Sequence, residues 1–277
     1  MQHNFFVCVA TLLIVSFGVV ISSIDKAFVV VVPSYNNSVW YMQNLDSICM
    51  QNYPYYHVLY VDDCSTDGTT ELVEAYIQKR NLSDKITLIK NPVRSGMLYN
   101  LYTAVHCCPN NVIIVVLDGD DWFAHNNVLT MLNDVYQDLD VWMTYGQFQE
   151  SPSGTIGFCA PIPQYIIDAH AYRLYEWVTS HLKTFYAGLF KQIPIDYCMR
   201  KGSFLTSAGD CAVMFALLEL SGGRATFVED VLYSYNMQNA ARVCSTRPLE
   251  QLRNMYWVRN CEPLAPLAQC PIARELS

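Results

Sequence analysis

Three carboxylates crowd into Asp118-Gly119-Asp120-Asp121, directly after the apolar run VIIVVL at 112–117. Charges of one sign that close repel unless something positive lies among them. A divalent cation such as Mg²⁺ or Mn²⁺ meets that need, held by one or two carboxylates with phosphate oxygens filling its other sites. An Asp-Gly turn in a surface loop is the bland alternative for a bare DGD. Two further acidic clusters follow the same logic. Asp62-Asp63 closes the run HVLYV at 57–61 and leads into Cys64-Ser65-Thr66-Asp67-Gly68. There a carboxylate can accept hydrogen bonds from a base or a ribose, while Asp67 or Thr69 caps the next helix. Asp210, in Ser207-Ala208-Gly209-Asp210-Cys211, opens an apolar helical stretch as a general base or as an ordinary N-terminal aspartate.

Aromatic and basic residues complete the set. Tyr35, in Pro33-Ser34-Tyr35-Asn36-Asn37, can stack on a base or join the core. Arg94-Ser95-Gly96, ahead of a helix, can aim a guanidinium and helix-start N–H groups at phosphate. His181 falls in a second-half loop, where a lone histidine is more often structural than functional.

The elements that must position these residues alternate. Strands are expected at 28–32, 57–62, 86–90 and 112–118, with helices through Tyr41, Leu45 and Ile48, from about 70 to 80 and near 96–107. That rhythm argues for an α/β fold with a mostly parallel sheet and helices on both faces. Ligands of such sheets lie at the carboxyl ends of the strands, where the PSYNN, DDCSTDG and DGDD segments fall. Later segments read as LDVWMTYG from 139, a Pro-rich stretch, a helix around 168–180, FYAGLF, a helix from Asp210 to Leu220, then RATFVE and LYSYN. No repeat or linker divides 25–277, so it is expected to form one domain.

VVVVPSYNN, VDDCSTDGT, VVLDGDDW and SAGDCAVMFALLE, in that order, resemble the family 2 glycosyltransferases of GT-A fold over roughly residues 28–236. The resemblance implies a Rossmann-like nucleotide-binding half, an acceptor-binding half, a nucleotide-sugar donor (often a UDP-sugar), a divalent metal and inverting transfer. Carried over by position, Tyr35 would stack on or flank the base and Asp63 would bind base or ribose; their neighbours Pro33 and Asp62, with Arg94 and Gly96 of the helix start, are also expected at the donor. Asp118 would meet the ribose or sugar, Asp120 and Asp121 the metal, and Asp210 would be the catalytic base. Gly209 stands where many relatives have Glu, and no His follows His181 to complete a metal site, so water is the expected replacement. Gln251-Leu252-Arg253-Asn254-Met255 does not match the QxxRW element of polymer synthases. Transfer of a single sugar to a protein, lipid or glycan acceptor is therefore expected over polysaccharide extrusion. A non-catalytic relative that binds nucleotide or glycan is the alternative.

Composition bounds the partners. With 17 Lys plus Arg against 25 Asp plus Glu, a net charge of −8 and no basic run, nucleic acid is disfavoured. Residues 5–24 carry no charge and read as a signal peptide or a signal anchor. With that leader, 11 Cys and the need for sugar nucleotides, a lumenal enzyme of the endoplasmic reticulum or Golgi is expected, the alternative being an anchored body facing the cytoplasm. Ten Cys beyond the leader permit disulfides, the candidates being Cys244, Cys261 and Cys270, while Cys49 and Cys211 sit at apolar helical positions.

Overall fold

The computed structural model describes residues 25–239 and 247–272. The apolar leader and Cys244 lie outside the described residues, and among those described no helix is long and apolar enough to cross a membrane. The chain begins with strand β1 (Phe28–Ser34), helix α1 (Tyr41–Cys49), β2 (Tyr56–Asp62), α2 (Thr69–Lys79), β3 (Ile86–Lys90), α3 (Met97–His106) and β4 (Ile113–Val116). It continues through β5 (Trp122–Phe123), α4 (Val128–Val135), β6 (Met143–Ser151), α5 (Gln164–Asp168), β7 (Lys183–Tyr186) and α6 (Ala187–Phe190). A small hairpin of β8 (Met199–Arg200) and β9 (Ser203–Phe204), helix α7 (Gly209–Ser221), β10 (Ala225–Asn236) and a last helix, Pro248–Arg259, close it.

Eight strands form one sheet in the order β3-β2-β1-β4-β7-β6-β10-β5. The first four are mutually parallel; β7 runs antiparallel to both β4 and β6, and β10 pairs parallel with β6 and antiparallel with β5. Every residue of β1 and β4 is buried, as expected of unbroken β-branched runs covered on two faces. Register places Ser34 beside Asp62 and Val31 beside Val116, so the turns after β1, β2 and β4 open together at the carboxyl end of the parallel strands.

Three expectations are corrected. The helix around 168–180 is only Gln164–Asp168 followed by a 3₁₀ turn, Tyr172–Leu174. His170 adopts φ +52°, and Arg173 turns inward onto Glu219, so a tertiary ion pair overrides the apolar period. RATFVE and LYSYN are one strand, β10, with register shifts between Val228 and Val231 and on to Tyr233 that accommodate Glu229 and Asp230. Cys261 and Cys270 are free thiols, so no disulfide joins them. The final helix carried no readable period, because Leu249, Leu252 and Tyr256 face solvent while Asn254 and Val258 are buried.

Candidate active site

The turn after β1 is built on Ser34. Its Oγ pairs with the Tyr60 hydroxyl at 2.8 Å and accepts from Asn37 Nδ2 at 3.0 Å. Loop 62–69 is stapled to it: Asn37 N–H donates to Thr69 Oγ1, Ser38 N–H to Asp67 Oδ2 and Thr66 N–H to Asn36 Oδ1. Gly119, after β4, approaches so closely that a Cβ there would lie 2.7 Å from both Ser34 Cβ and Asn37 Nδ2. Its N–H donates to the Pro33 carbonyl at 3.1 Å. The three loops therefore form one body, as their places at the strand ends require.

Asp62 and Asp63 face inward. Asp62 Oδ2 accepts from Ser65 N–H and Thr70 Oγ1 at 3.0 and 2.7 Å. Asp63 Oδ1 takes Asn91 Nδ2 and Ser95 N–H, at 2.9 and 2.8 Å, and Oδ2 takes Gly96 N–H at 2.8 Å. This revises the expectation for the start of α3, whose Ser95 and Gly96 N–H groups are committed to Asp63 and not free for phosphate. Gly96 sits at φ +91°, a conformation that side-chain-bearing residues rarely adopt. The latch carries Arg94 over Tyr35, guanidinium carbon 3.7 Å from the ring centroid. Tyr35 and Arg94 so form one planar, cationic rim.

The acidic turn divides its three carboxylates. Asn44 of α1, wholly buried, donates from Nδ2 to the carbonyls of Asp118 and Asp121 at 3.0 and 2.7 Å and fixes the turn from beneath. Asp121 is buried and turned away from the other two: Oδ2 accepts from Tyr233 and Oδ1 from Asn236 N–H at 2.7 Å. Burial, with Asp120 and Asp118 adding to it, drives its carboxyl well above the usual range. Asp120 stays half-exposed, with Asn239 Nδ2 on Oδ2 at 2.7 Å. Asp118 is pushed up to about 7 by burial, Lys183 opposing the shift while Asp210 and Asp120 add to it.

Asp210 enters this group from the first turn of α7. Gly209 before it is buried, and a Cβ there would lie 3.2 Å from Leu98 Cβ of α3, so the absence of Glu follows from close helix packing. Burial raises the Asp210 carboxyl, but the Lys183 ammonium 3.0 Å from Oδ2 outweighs it and holds the group below its ordinary value. His181 is buried, stacked 4.2 Å from the Tyr233 ring centroid, and burial with the Lys183 charge lowers it to about 3. The sequence reading missed Lys183, Asn44, Tyr233, Asn236 and Asn239. Only Lys183 left a signal, a charge inside the buried strand KTFY.

Whether these residues suit a divalent cation is an electrostatic question. Among the described residues no group of three or more His, Cys, Asp or Glu is arranged to hold one. Yet Asp118 and Asp210 face the one ammonium of Lys183 while Asp120 adds its charge beside Asp118, so among these groups carboxylates outnumber cations. Such a surplus fits a cation completed by substrate oxygens and water.

The sequence profile of Glycosyl transferase family 2 matches residues 29–193, more than half of the chain. The chain belongs to this family. The family 2 chain is 44% identical over 57 residues to the poly(ribitol-phosphate) β-N-acetylglucosaminyltransferase TarS of Staphylococcus aureus, covering 20% of itself and 10% of TarS. It is 26% identical over 93 residues to TuaG of Bacillus subtilis, a teichuronic acid biosynthesis glycosyltransferase by name, covering 34% and 36% of the two chains. The chain thus spans only a tenth to about a third of these relatives.

Solved glycosyltransferase structures share its fold. S. aureus TarS 1–349 with UDP-GlcNAc superposes with a TM-score of 0.62 at 20% identity, over 84% of this chain and 65% of that one. The mannosyltransferase PcManGT of Pyrobaculum calidifontis, with GDP-Man and Mn²⁺, gives 0.61 at 21%, over 87% and 66%. The expected α/β GT-A fold, mostly parallel, is the fold of this family 2 chain.

Proposed function

We propose that this family 2 chain is an inverting glycosyltransferase that moves one sugar from a nucleoside-diphosphate sugar, in the first instance a UDP-sugar, to a hydroxyl of a glycan, protein or lipid. The observation that carries the reading is the meeting of an ionised Asp210, at the start of α7, with Asp118 and Asp120, at the end of β4. That the fold is shared with structures holding UDP-GlcNAc or GDP-Man supports the donor class.

In the proposed reaction Asp210 takes the proton of the acceptor hydroxyl as its oxygen attacks the anomeric carbon. The bond from that carbon to the diphosphate oxygen breaks, and the diphosphate leaves with the electron pair. Attack from the opposite face inverts the centre. Asp120 would hold the divalent metal, whose chemistry when bound is to neutralise the departing diphosphate. Asp121 is not among the proposed ligands, since both its oxygens are engaged by Tyr233 and Asn236. Asp118 lies by the ribose or donor sugar. The Tyr35 and Arg94 rim covers the base and its phosphates, while Pro33, Asp62, Asp63 and Gly96 hold the loops that form this pocket.

The test is release of nucleoside diphosphate from a panel of sugar nucleotides, with Mn²⁺ or chelator, for the chain and its Asp210→Asn variant. Chelator-sensitive turnover of one donor, lost in the variant, is expected. Nucleotide binding without turnover across donors and acceptors would overturn the reading in favour of a binding protein.

A further inference from the structure

Lys183 is the least expected charge in the molecule. It begins β7, paired antiparallel with β4 so that Lys183 stands opposite Val116, two residues before Asp118. The residue is 3% exposed. A buried ammonium is strongly unfavourable unless compensated, and it persists only where a carboxylate answers it. Here that carboxylate is the proposed base: Nζ lies 3.0 Å from Asp210 Oδ2. Among the described residues Nζ has no well-aligned hydrogen bond, so the link is ionic. The other carboxylate oxygen of Asp210 has no partner among the described residues, and the side chain is 36% exposed.

We propose that Lys183 is the positioning residue of the base: it anchors one oxygen of Asp210 from beneath and leaves the other oxygen open to the acceptor hydroxyl. This rests on the glycosyl-transfer reading above. The surroundings are consistent with that division of labour. Facing the ammonium are Asp118 from the end of β4 and Asp210 with the Cys211 thiol from α7; His181, on its own segment, and Cys159 are the remaining titratable neighbours. Both thiols are raised by burial and uncharged, and His181 is held neutral, so the carboxylates alone answer the lysine. Although burial opposes it, the pull of Asp210 and Asp118 raises Lys183, which keeps it a cation and excludes it as a competing base. Lysine acts here through Asp210 and touches no reacting atom.

The experiment compares Lys183→Met, Lys183→Arg, Asp210→Asn and the double Lys183→Met/Asp210→Asn variant in the full chain. Donor affinity is read by calorimetry and transfer by nucleoside diphosphate release over pH. Lys183→Met is expected to lower kcat about 100-fold, as loss of an oriented base does. Its acid limb should move up by about one pH unit or more, as for a carboxylate losing a close cation. Donor affinity should stay within about threefold of wild type, on the order of 0.7 kcal/mol. In the Asp210→Asn background Lys183→Met should change residual turnover by less than about threefold, since the group it serves is gone.

An unmoved acid limb in Lys183→Met, or equal losses in both backgrounds, would overturn the proposal and leave a structural lysine. If Lys183→Met does not fold, Lys183→Arg decides, since it keeps the charge and shifts the nitrogen. A lowered kcat that disappears when Lys183→Arg is combined with Asp210→Asn supports positioning, and a wild-type kcat or equal losses in both backgrounds overturns it. Failure of the underlying reading looks different: the wild-type chain turns over no donor, or Asp210→Asn retains full transfer.

Discussion

The Tyr233 hydroxyl donates to Asp121 Oδ2 at 2.5 Å, linking two residues 112 positions apart. This contact separates the three carboxylates of the DGDD turn into one that organises the fold and two, Asp118 and Asp120, that it leaves unclaimed. Asparagine at this position still accepts from Asn236 N–H but sets an amide NH2 where Oδ2 accepts from Tyr233, so that hydroxyl must turn to accept instead. Asp121→Asn is expected to stay within about 1 kcal/mol of wild type at pH 7 and to keep its metal response. Asp121→Ala should cost about 1–3 kcal/mol in urea unfolding, because it orphans both partners.

Asp120 should behave in the opposite way. Asp120→Asn is expected to unfold like wild type while Mn²⁺ no longer strengthens donor binding in calorimetry. Undiminished Mn²⁺ dependence would move the ligand assignment elsewhere.

His181 sets an acid limit on stability. Its folded value of about 3 lies below the ordinary 6.5, so between those values the unfolded chain takes up a proton that the folded chain refuses. The contribution is complete above pH 6.5 and is lost as pH falls towards 3, at a slope of up to about 1.4 kcal/mol per pH unit. Unfolding free energies measured from pH 7 to 4 should show that slope, and His181→Phe, stacked on Tyr233, should flatten it. An equal slope in the variant would assign it to other groups.

Helix α7 is anchored at its far end by a buried ion pair. Arg173 Nε and Nη2 reach Glu219 Oε1 and Oε2 at 2.6 and 2.8 Å, and Glu219 also accepts from Leu264 N–H at 3.0 Å. Glu219→Gln should lose about 3–5 kcal/mol, since it leaves an uncompensated buried guanidinium. Arg173→Met/Glu219→Leu should recover most of that loss in the same denaturation measurement.

Gly119 tests the loop junction. Its Cβ site is filled by Ser34 and Asn37, so Gly119→Ala must displace backbone or the PSYNN turn. A loss of about 1–3 kcal/mol is expected, accompanied by weaker donor binding. An unchanged melting temperature would show that the turn yields easily.

The sequence by itself determined the alternating frame. Unbroken β-branched runs such as FVVVV and IIVV, alternating with helical segments, read as buried strands, and carboxylates placed after them fall at the carboxyl end of the sheet. Four motifs in order were enough to indicate the family. The direction in which each side chain points was left to the tertiary structure. Asp120 and Asp121 are adjacent and chemically identical, yet Tyr233 and Asn236 of β10 claim only the second. Asp63, expected at the donor, also ties Asn91, Ser95 and Gly96 together through three accepted hydrogen bonds. Lys183 gains its meaning from strand β7 running antiparallel between β4 and β6, which brings its ammonium under Asp210 of α7. These are contacts between segments far apart in the chain, set by strand order and packing, and local residue pattern holds no record of them.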